Sequence, residues 1–442
     1  MQSPKSRHGR SVCPKHKCEL ASLVFAVAVS IDHLNIDALS AKHLSPPLSG
    51  TFKSETVHDY FVVHRNDVDR RLIGYAPRRA HGVETSLLGS IFTANRRTMI
   101  KTTALLAASA VIGGIGITSR KNRYYSGPRS NHFDGTRFFN PGGEAPRGGL
   151  DFLKWQFNGN KQKWPASVDL PAKARPSARE TELTITMVGH ATMLIQTAGL
   201  NILTDPVWSD RASPMAFAGP KRVIAPGIDF AQLPKIDLVL LSHNHYDHLD
   251  LTTLKSLNEA HSPLIVTPLG NDAIVHDDVP SARIETRDWD EAVTIGNMTV
   301  HFEPCHHWSA RGIGDRSMAL WAAFVLEGPA GKILHIGDTG FDRGRPYRRV
   351  RDKHGKIGTA ILPIGAYEPR WFMKAQHQNP EEAVAGLKIL GADNAVGHHW
   401  GTFQLTDEAR NDPPAALAKA LKAQGVATER FVPLAPAQVW SP

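Results

Sequence analysis

A chain of 442 residues, 41% of them hydrophobic, is long enough to bury a sizeable core, and its three cysteines exclude a disulfide-stapled scaffold. The formal net charge of +9 is confined to the N-terminal third, because residues 1–150 carry 21 basic and 10 acidic residues whereas residues 151–442 carry 30 and 32. A nucleic-acid groove needs clustered positive charge against phosphates, so the C-terminal part is not expected to bind nucleic acid.

The first 98 residues are basic and show no sustained hydrophobic periodicity. We expect residues 1–98 to form a poorly ordered extension. The sequence leaves open whether this extension belongs to the mature protein.

A segment typical of membrane targeting follows at residues 99–123. Arg96 and Arg97 precede an uncharged run at residues 102–119, and three basic residues close it. Four interpretations stay open: a twin-arginine-like export signal, a membrane anchor of marginal length, a true chain start at Met99, and a buried helix. The first two predict a membrane-associated protein, exported or anchored in the inner membrane of a bacterium. Basic residues on both flanks leave the orientation open, including a cytoplasmic face.

Residues 124–180 are rich in glycine, proline and aromatic side chains. This composition predicts a lead-in segment of extended chain that wraps a globular domain. We place the globular catalytic domain at residues 181–442.

The globular domain opens with three strand-like runs, at residues 183–188, 192–197 and 201–204, which Gly189 and Gly199 separate. These runs predict a β-meander. Further strands are expected at residues 236–241, 264–267, 293–302, 319–326, 332–336 and 360–363, and helices at residues 251–259, 380–390 and 413–424. Because strands and helices alternate without a glycine-rich phosphate loop after the first strand, the sequence favours an α/β fold, a layered αββα sandwich, over a dinucleotide-binding fold.

Four potential metal ligands follow the apolar strand at residues 236–241 within six positions: His243, His245, Asp247 and His248. The carboxyl end of a buried strand is where an α/β layer presents its functional site. Residues two apart in an extended segment share a face, so His243 and His245 can bind one ion. Imidazole and carboxylate ligands suit Zn²⁺. A histidine-rich surface turn is the plain alternative, but the buried strand directly before the motif disfavours it.

Three later strand ends offer further ligands, in Cys305-His306-His307-Trp308, Gly337-Asp338 and Gly397-His398-His399-Trp400. A carboxylate such as Asp338 can bridge two cations and neutralise part of their mutual repulsion. The sequence therefore predicts a two-metal site.

The chain from about residue 124 to residue 435 resembles the N-acylphosphatidylethanolamine-hydrolysing phospholipase D family and its bacterial relatives, within the metallo-β-lactamase superfamily. The matching stretches are GHAT at 189–192, LTDP at 203–206, SHNHYDHLD at 242–250, GDTG at 337–340, IGAYEPRWFM at 364–373, QH at 376–377, PEEA at 380–383 and HWGTF at 399–403. Residues 1–123 have no counterpart in this resemblance.

The resemblance implies a role for each ligand. His243, His245 and His307 would hold one zinc ion, Asp247, His248 and His399 would hold a second, and Asp338 would bridge the two. His306 could replace His307, and His398 could replace His399. The tryptophan that follows each ligand in the family motif favours His307 and His399.

The resemblance also implies roles around the metals. Tyr246, Tyr367, Arg370 and Gln376 would contact substrate, and His377 would act catalytically on the phosphate or the leaving side. For Tyr246, Tyr367 and Arg370 an equal alternative is a packed corner with Arg370 paired to Glu368, and for His377 it is a residue at a helix entry. His190 and Asp205 would orient ligands without binding metal themselves.

These residues predict a hydrolase that uses a hydroxide activated by two metal ions, with Asp247 orienting the attacking water and accepting its proton. The expected substrate is a phospholipid or another phosphodiester, at a membrane surface. A lactonase or ester hydrolase on the same site is the alternative, and a non-catalytic metal-binding membrane protein is another. The sequence leaves a homo-oligomer open.

Overall fold

The computed structural model describes residues 121–442, and these form fourteen strands and seven α-helices. The first seven strands in chain order are β1 (Thr184–Gly189), β2 (Thr192–Thr197), β3 (Leu200–Thr204), β4 (Leu238–Leu240), β5 (Leu264–Pro268), β6 (Arg283–Arg287) and β7 (Ala292–Ile295). The remaining strands are β8 (Met298–Glu303), β9 (Ala323–Gly328), β10 (Gly331–His335), β11 (Thr359–Pro363), β12 (Asn394–His398), β13 (Phe431–Pro433) and β14 (Val439–Trp440). The helices are α1 (Gly149–Asn158), α2 (Leu251–His261), α3 (Asn271–Asp278), α4 (Arg345–His354), α5 (Arg370–Met373), α6 (Pro380–Leu390) and α7 (Asp412–Gln424).

The predictions for residues 1–98, and nearly all of the segment at 99–123, lie outside the described residues. Within residues 121–442, no helix has the length and apolar character needed to cross a bilayer.

The strands form two mixed sheets of seven. The first sheet has the order β14-β1-β2-β3-β4-β5-β6, and the second has the order β13-β12-β11-β10-β9-β8-β7. In each sheet an antiparallel part continues into four parallel strands, β3 to β6 in the first and β10 to β13 in the second. The predicted opening meander is confirmed, since β1, β2 and β3 pair antiparallel.

The two sheets pack face to face with helices outside, which confirms the predicted layered arrangement. Strand β4 is buried on both faces of its sheet. Leu238 and Leu240 belong to the apolar cluster between the sheets, whereas Val239 packs with Leu254 and Leu257 of α2 on the outer face. Side chains of a strand alternate between its faces, so a strand buried on both sides must be apolar throughout.

Three expectations about elements were wrong. The run at residues 293–302 is not one strand but the hairpin β7–β8, because Gly296 adopts a φ of 59° and turns the chain back on itself. The strand expected at 319–326 begins only at Ala323. The lead-in segment is not extended throughout, because it contains α1, whose Trp155 is buried.

The candidate functional site lies at the carboxyl ends of parallel strands. Strands β3, β4, β10 and β12 carry Asp205, the motif at residues 243–248, Asp338 and His399 at or just beyond their carboxyl ends. Carboxyl ends of parallel strands open at one edge of an α/β sheet, so residues distant in sequence meet there.

Candidate metal centre

The motif loop at residues 243–248 is held from both ends. The guanidinium of Arg311 donates to the carbonyl oxygens of Asn244 at 3.1 Å and Leu249 at 2.7 Å. The Asp250 carboxylate then caps α2 by accepting from the amides of Thr252 and Thr253. The loop therefore has little freedom to move its histidines.

One group of imidazoles lies on one side of the site. His243 Nε2 is 2.8 Å from His245 Nδ1, and His307 Nε2 is 3.2 Å from the same His245 atom. His243 and His307 are buried, and His245 is partly exposed. We call these three residues the first triad.

A second group lies beside it. His399 Nε2 is 3.1 Å from His248 Nε2 and 3.2 Å from Asp247 Oδ2, and these three residues form the second triad. His190 Nε2 also reaches Asp247 Oδ2, at 2.9 Å. His190 thus contacts a carboxylate of the cluster, and it forms one group of potential metal ligands with the second triad.

Asp338 lies between the two triads. Its Oδ2 is 3.2 Å from His248 Nε2, 3.7 Å from His307 Nε2 and 4.0 Å from His243 Nε2, and its Oδ1 is 3.2 Å from His399 Nε2. One carboxylate therefore faces both groups of imidazoles.

The buried carboxylate of Asp205 contacts Ser242 and His248. This carboxylate accepts from the Ser242 amide and hydroxyl, both at 2.7 Å, and lies 2.8 Å from His248 Nδ1. This contact leaves Nε2 of His248 directed at the cluster. His335 Nε2 lies 3.5 Å from the same carboxylate. Sequence reasoning missed His335, although a histidine inside the apolar strand β10 was a visible signal.

The two histidines of each doublet have different surroundings in the structure. His307 and His399 face the cluster, whereas His306 Nδ1 lies 2.6 Å from the Ala375 carbonyl and His398 is enclosed beside His335, with ring centres 5.5 Å apart. Among the described residues, neither His306 nor His398 belongs to a group of potential ligands with mutually close donor atoms.

His377 borders the open side of the cluster. Its imidazole is only partly exposed, its Nδ1 is 3.9 Å from Asp338 Oδ2, and its ring centre lies 5.2 Å from that of His307 and 5.6 Å from that of His399. Helix α6 is capped by Asn379 with Glu382 in a capping box, so the helix entry does not need His377. Gln376 is buried beside it, and its carbonyl lies 3.1 Å from His307 Nδ1.

The other residues expected to contact substrate make contacts within the protein. The Tyr246 hydroxyl donates to the Arg311 carbonyl at 2.8 Å. Tyr367 is buried. Arg370 pairs with Glu382 at 2.7 Å and donates to the His377 carbonyl at 2.9 Å. The expected partner Glu368 instead accepts the Arg370 backbone amide.

Burial and neighbouring charge set the protonation of the cluster. Burial lowers the pKa of His245 and of His377 to about 4 and that of His190 to about 3, and it holds the pKa of His243 and His307 well below the usual range. These imidazoles are neutral near pH 7, the form that a metal ligand requires.

For Asp338 and His399, the neighbouring opposite charges together shift the pKa more strongly than burial does. Burial opposes ionisation of Asp338, but the charges of His399 and His248 outweigh it and hold its pKa well below the usual range. Burial likewise opposes protonation of His399, yet Asp338 and Asp247 raise its pKa to about 9. The buried carboxylates are therefore ionised and are stabilised by a neighbouring positive charge, which a protonated imidazole or a bound metal cation can supply.

The donor set fits metal ions. Each triad, and the set of His243, His248 and Asp338, offers ligand atoms that lie within 4.8 Å of one another. Nitrogen and oxygen ligands bind zinc at ~2.0–2.2 Å, so ligands of one ion lie ~3–4 Å apart. The imidazole nitrogens of the cluster face each other across 2.8–3.2 Å, a spacing close to that of ligands around one ion.

Comparison with known proteins agrees with this geometry. Residues 200–400 match the model of the β-lactamase superfamily domain. The chain is 36% identical over 274 residues to N-acyl-phosphatidylethanolamine-hydrolyzing phospholipase D 1 of Caenorhabditis elegans, which covers 59% of this chain and 76% of the worm protein. An uncharacterised protein of Mycobacterium tuberculosis is 37% identical over 250 residues, covering 56% of this chain and 66% of its own length.

The mitochondrial N-acyl-phosphatidylethanolamine-hydrolyzing phospholipase D of Saccharomyces cerevisiae is 37% identical over 224 residues, covering 50% of this chain and 47% of the yeast protein. The chain thus spans about half of the yeast relative and three quarters of the worm relative. Together with the layered fold, these matches show that the chain belongs to the N-acyl-phosphatidylethanolamine-hydrolysing phospholipase D family of metal-dependent hydrolases with the metallo-β-lactamase fold.

Proposed function

We propose that this protein is a zinc-dependent phosphodiesterase with two metal ions per chain, acting on phospholipids of the N-acyl-phosphatidylethanolamine type. The observation that carries the proposal is the position of Asp338, whose carboxylate lies between two groups of candidate ligands. It is 3.2 Å from His248 and His399 of the second triad, and 3.7 Å and 4.0 Å from His307 and His243 of the first. A single-metal site would need only one such group.

The first triad, His243, His245 and His307, would hold one ion. The second triad would hold the other, and Asp338 would bridge them. Bound zinc would lower the pKa of a coordinated water and stabilise the charge that develops on the phosphate oxygens.

Asp247 is the residue that we assign to the attacking water. It is the only member of the second triad with an exposed fraction of its side chain, 14%, whereas His248 and His399 are fully buried. Its Oδ2 is held by His190 and His399, which fixes the carboxylate for orienting a water and accepting its proton.

His377 is the residue that we assign to the phosphate. Its Nδ1 is buried without a hydrogen-bond partner in the protein, at the open side of the cluster. Burial keeps the ring neutral near pH 7, so it can donate one hydrogen bond to a phosphate oxygen or to the departing oxygen. The unpartnered Gln376 side-chain amide is the neighbouring donor.

The proposal that the substrate is a lipid rests on the relatives and on one cavity. The worm and yeast relatives are named for hydrolysis of N-acyl-phosphatidylethanolamine. A cavity of about 280 Å³ adjoins His307 and is lined partly by Phe138, Phe139 and Trp321. Aromatic walls beside a polar cluster suit a molecule that joins an apolar chain to a phosphodiester.

The test uses the full chain and two readouts. Metal content is measured by elemental analysis, and hydrolysis is measured on a soluble aryl phosphodiester and on N-acyl-phosphatidylethanolamine in mixed micelles. The wild type should hold about two zinc ions per chain by the two-metal ligand count. Asp338→Asn should lose at least one ion and nearly all turnover, whereas the surface variant Asp229→Asn should retain both.

Other outcomes decide between the alternatives. Two zinc ions with turnover of lactones or carboxyl esters and none of phosphodiesters would replace the phosphodiesterase by a lactonase or esterase. Two zinc ions without any hydrolysis would favour a metal-binding protein. One ion per chain would contradict the dinuclear site.

A further inference from the structure

A second cluster of potential metal ligands lies outside the metal centre, where the end of α4 meets β8 and β9. It consists of His301 on β8, Glu327 on β9 and His354, the last residue of α4. Each residue offers one ligand atom, and the three atoms lie within 4.8 Å of one another. We call these three residues the auxiliary cluster. None of them belongs to the groups of ligands that form the metal centre.

The auxiliary cluster lies on one face of β8. Side chains alternate along a strand, so His301 and Glu303 share a face and Phe302 points to the other. Phe302 is fully buried and packs against Phe324, with ring centres 5.2 Å apart. The face that carries His301 meets α4, since the ring centres of His301 and His354 are 4.8 Å apart.

His301 and Glu327 already have the spacing of two ligands around one ion. His301 Nε2 lies 3.2 Å from Glu327 Oε2, and ligands that bind zinc at ~2.0–2.2 Å lie ~3–4 Å apart. The Lys332 ammonium pairs with the other oxygen of Glu327, Oε1, at 3.1 Å. Lys332 therefore leaves the oxygen that faces His301 available to a cation.

Glu303 contacts the third member of the cluster. Its side chain is fully buried, and its Oε1 lies 2.8 Å from His354 Nε2 and 2.6 Å from Lys353 Nζ. Within residues 121–442 its Oε2 has no hydrogen-bond partner, and the Arg349 guanidinium is 3.6 Å away. A histidine that binds a metal commonly contacts a carboxylate through its other ring nitrogen, which fixes the orientation of the ring. Glu303 is placed to orient His354 in this way.

The auxiliary cluster is open to ions from solvent. The side chain of His301 is 22% exposed and that of Glu327 is 45% exposed. Burial of the ring, together with the neighbouring His354, lowers the pKa of His301 below its usual value, so this imidazole is neutral near pH 7, as a metal ligand must be. The carboxyl end of a helix also carries partial negative charge, which favours a cation beside His354.

We propose that the auxiliary cluster is a further zinc site, which holds one ion between His301, Glu327 and His354 and connects the end of α4 to β8 and β9. Two imidazoles and one carboxylate are a donor set that suits Zn²⁺, and water would complete the coordination. Because two of its three ligands are partly exposed, this site should bind zinc more weakly than the metal centre and fill at a higher concentration of free zinc. The inference does not depend on the reaction that the metal centre catalyses.

The first test counts bound zinc in the full chain. Cys13 and Cys18 are replaced by serine, so that their thiols do not bind zinc. The protein is dialysed against buffers of increasing free zinc concentration and its zinc content is measured by elemental analysis. One further ion should bind after the metal centre is filled. His301→Asn should weaken the binding of this ion by more than the about 10–100-fold that loss of an orienting partner costs.

His276→Asn is the matched control. His276 is partly exposed on α3 and, among the described residues, belongs to no group of potential ligands. This variant should bind the further ion as the parent protein does. His354→Asn should lose the ion as His301→Asn does, but His301 is the decisive position because its partly exposed side chain contributes less to the core.

The second test locates the ion. Amide hydrogen exchange is measured by mass spectrometry at two free zinc concentrations, one that fills only the metal centre and one that also fills the further site. Exchange in α4 should slow at the higher concentration, because the ion holds the end of the helix on the sheet. It should not slow in His301→Asn, and α7 should exchange equally under both conditions.

Three results would overturn the auxiliary site. Absence of any ion beyond those of the metal centre would leave the cluster as an ion-pair network with Lys332 and Lys353. A further ion that His301→Asn retains would lie elsewhere in the chain. Binding without slower exchange in α4 would exclude the proposed connection between helix and sheet. If instead the metal centre holds no zinc, while one ion binds and is lost in His301→Asn, the proposed function fails and the auxiliary site stands.

Discussion

At the scale of residues, each of the two histidine doublets has one histidine at the cluster and one that points away from it. His307 and His399 point at the cluster, and their neighbours His306 and His398 contact other parts of the core. His307→Ala and His399→Ala should each reduce bound zinc toward one ion per chain and abolish most turnover. His306→Ala and His398→Ala are the matched controls, and zinc content by elemental analysis is the measurement. Loss of zinc in a control would reassign the ligand.

Asp205 permits a second residue-scale prediction. Its carboxylate orients His248 through Nδ1 and is shared with Ser242. Asp205→Asn keeps an acceptor of similar shape but removes the charge, so zinc affinity should fall by about 10–100-fold. Competition with a chromogenic chelator measures this affinity, and Asp229→Asn is the control. An unchanged affinity would mean that His248 is oriented by the fold alone.

At the scale of elements, Glu408 organises the segment before α5. Its buried carboxylate accepts from the amides of Ala366 at 2.6 Å, Tyr367 at 3.3 Å and Glu368 at 3.1 Å. Glu408→Gln places an amide donor against one of these N–H groups, so the free energy of unfolding should fall by about 1–3 kcal/mol. Urea unfolding measures the change, and Glu429→Gln at an exposed position is the control.

The same substitution has a predictable pH dependence. Burial raises the pKa of Glu408 above its usual value of 4.5. A folded-state pKa above the unfolded value means that the folded protein binds the proton more readily, so wild-type stability falls as the pH rises through this window. Glutamine does not titrate. The loss of stability caused by Glu408→Gln should therefore be larger near pH 4 than near pH 8, and an equal loss at both would contradict a raised pKa of Glu408 in the folded protein.

Several elements were predictable because their patterns are local. Helix α6 begins at Pro380 and ends at Leu390 as expected, since proline suits a first helical position and Gly391 ends the helix in the left-handed region. Helices α3 and α4 were missed, because α3 has only eight residues and α4 exposes mainly basic side chains around a narrow apolar stripe. Short or highly charged helices form because of what they pack against.

At the scale of the whole molecule, metal binding should stabilise the fold. The proposed ligands come from strand ends and loops of both sheets, so an ion bound between them would connect the two layers. A ligand present at a thousandfold excess over its Kd stabilises the folded state by about 4 kcal/mol, which for a domain of this size raises Tm by about 6 °C. Thermal unfolding with zinc and with a chelator measures the difference. Asp338→Asn should show a smaller one, and equal melting of the wild type in both conditions would contradict a structural contribution from the metal.

The sequence by itself determined the fold class and the main loop of candidate metal ligands in this protein. Four ligand types within six residues after an apolar strand form a local signal, which needs no knowledge of the rest of the chain. The tertiary structure decided which member of each doublet faces the cluster, because adjacent residues at a strand end point to opposite sides. It also decided that Arg370 pairs with Glu382 and that His335 lies near Asp205. Each of these depends on contacts between segments far apart in sequence, and no local pattern specifies them.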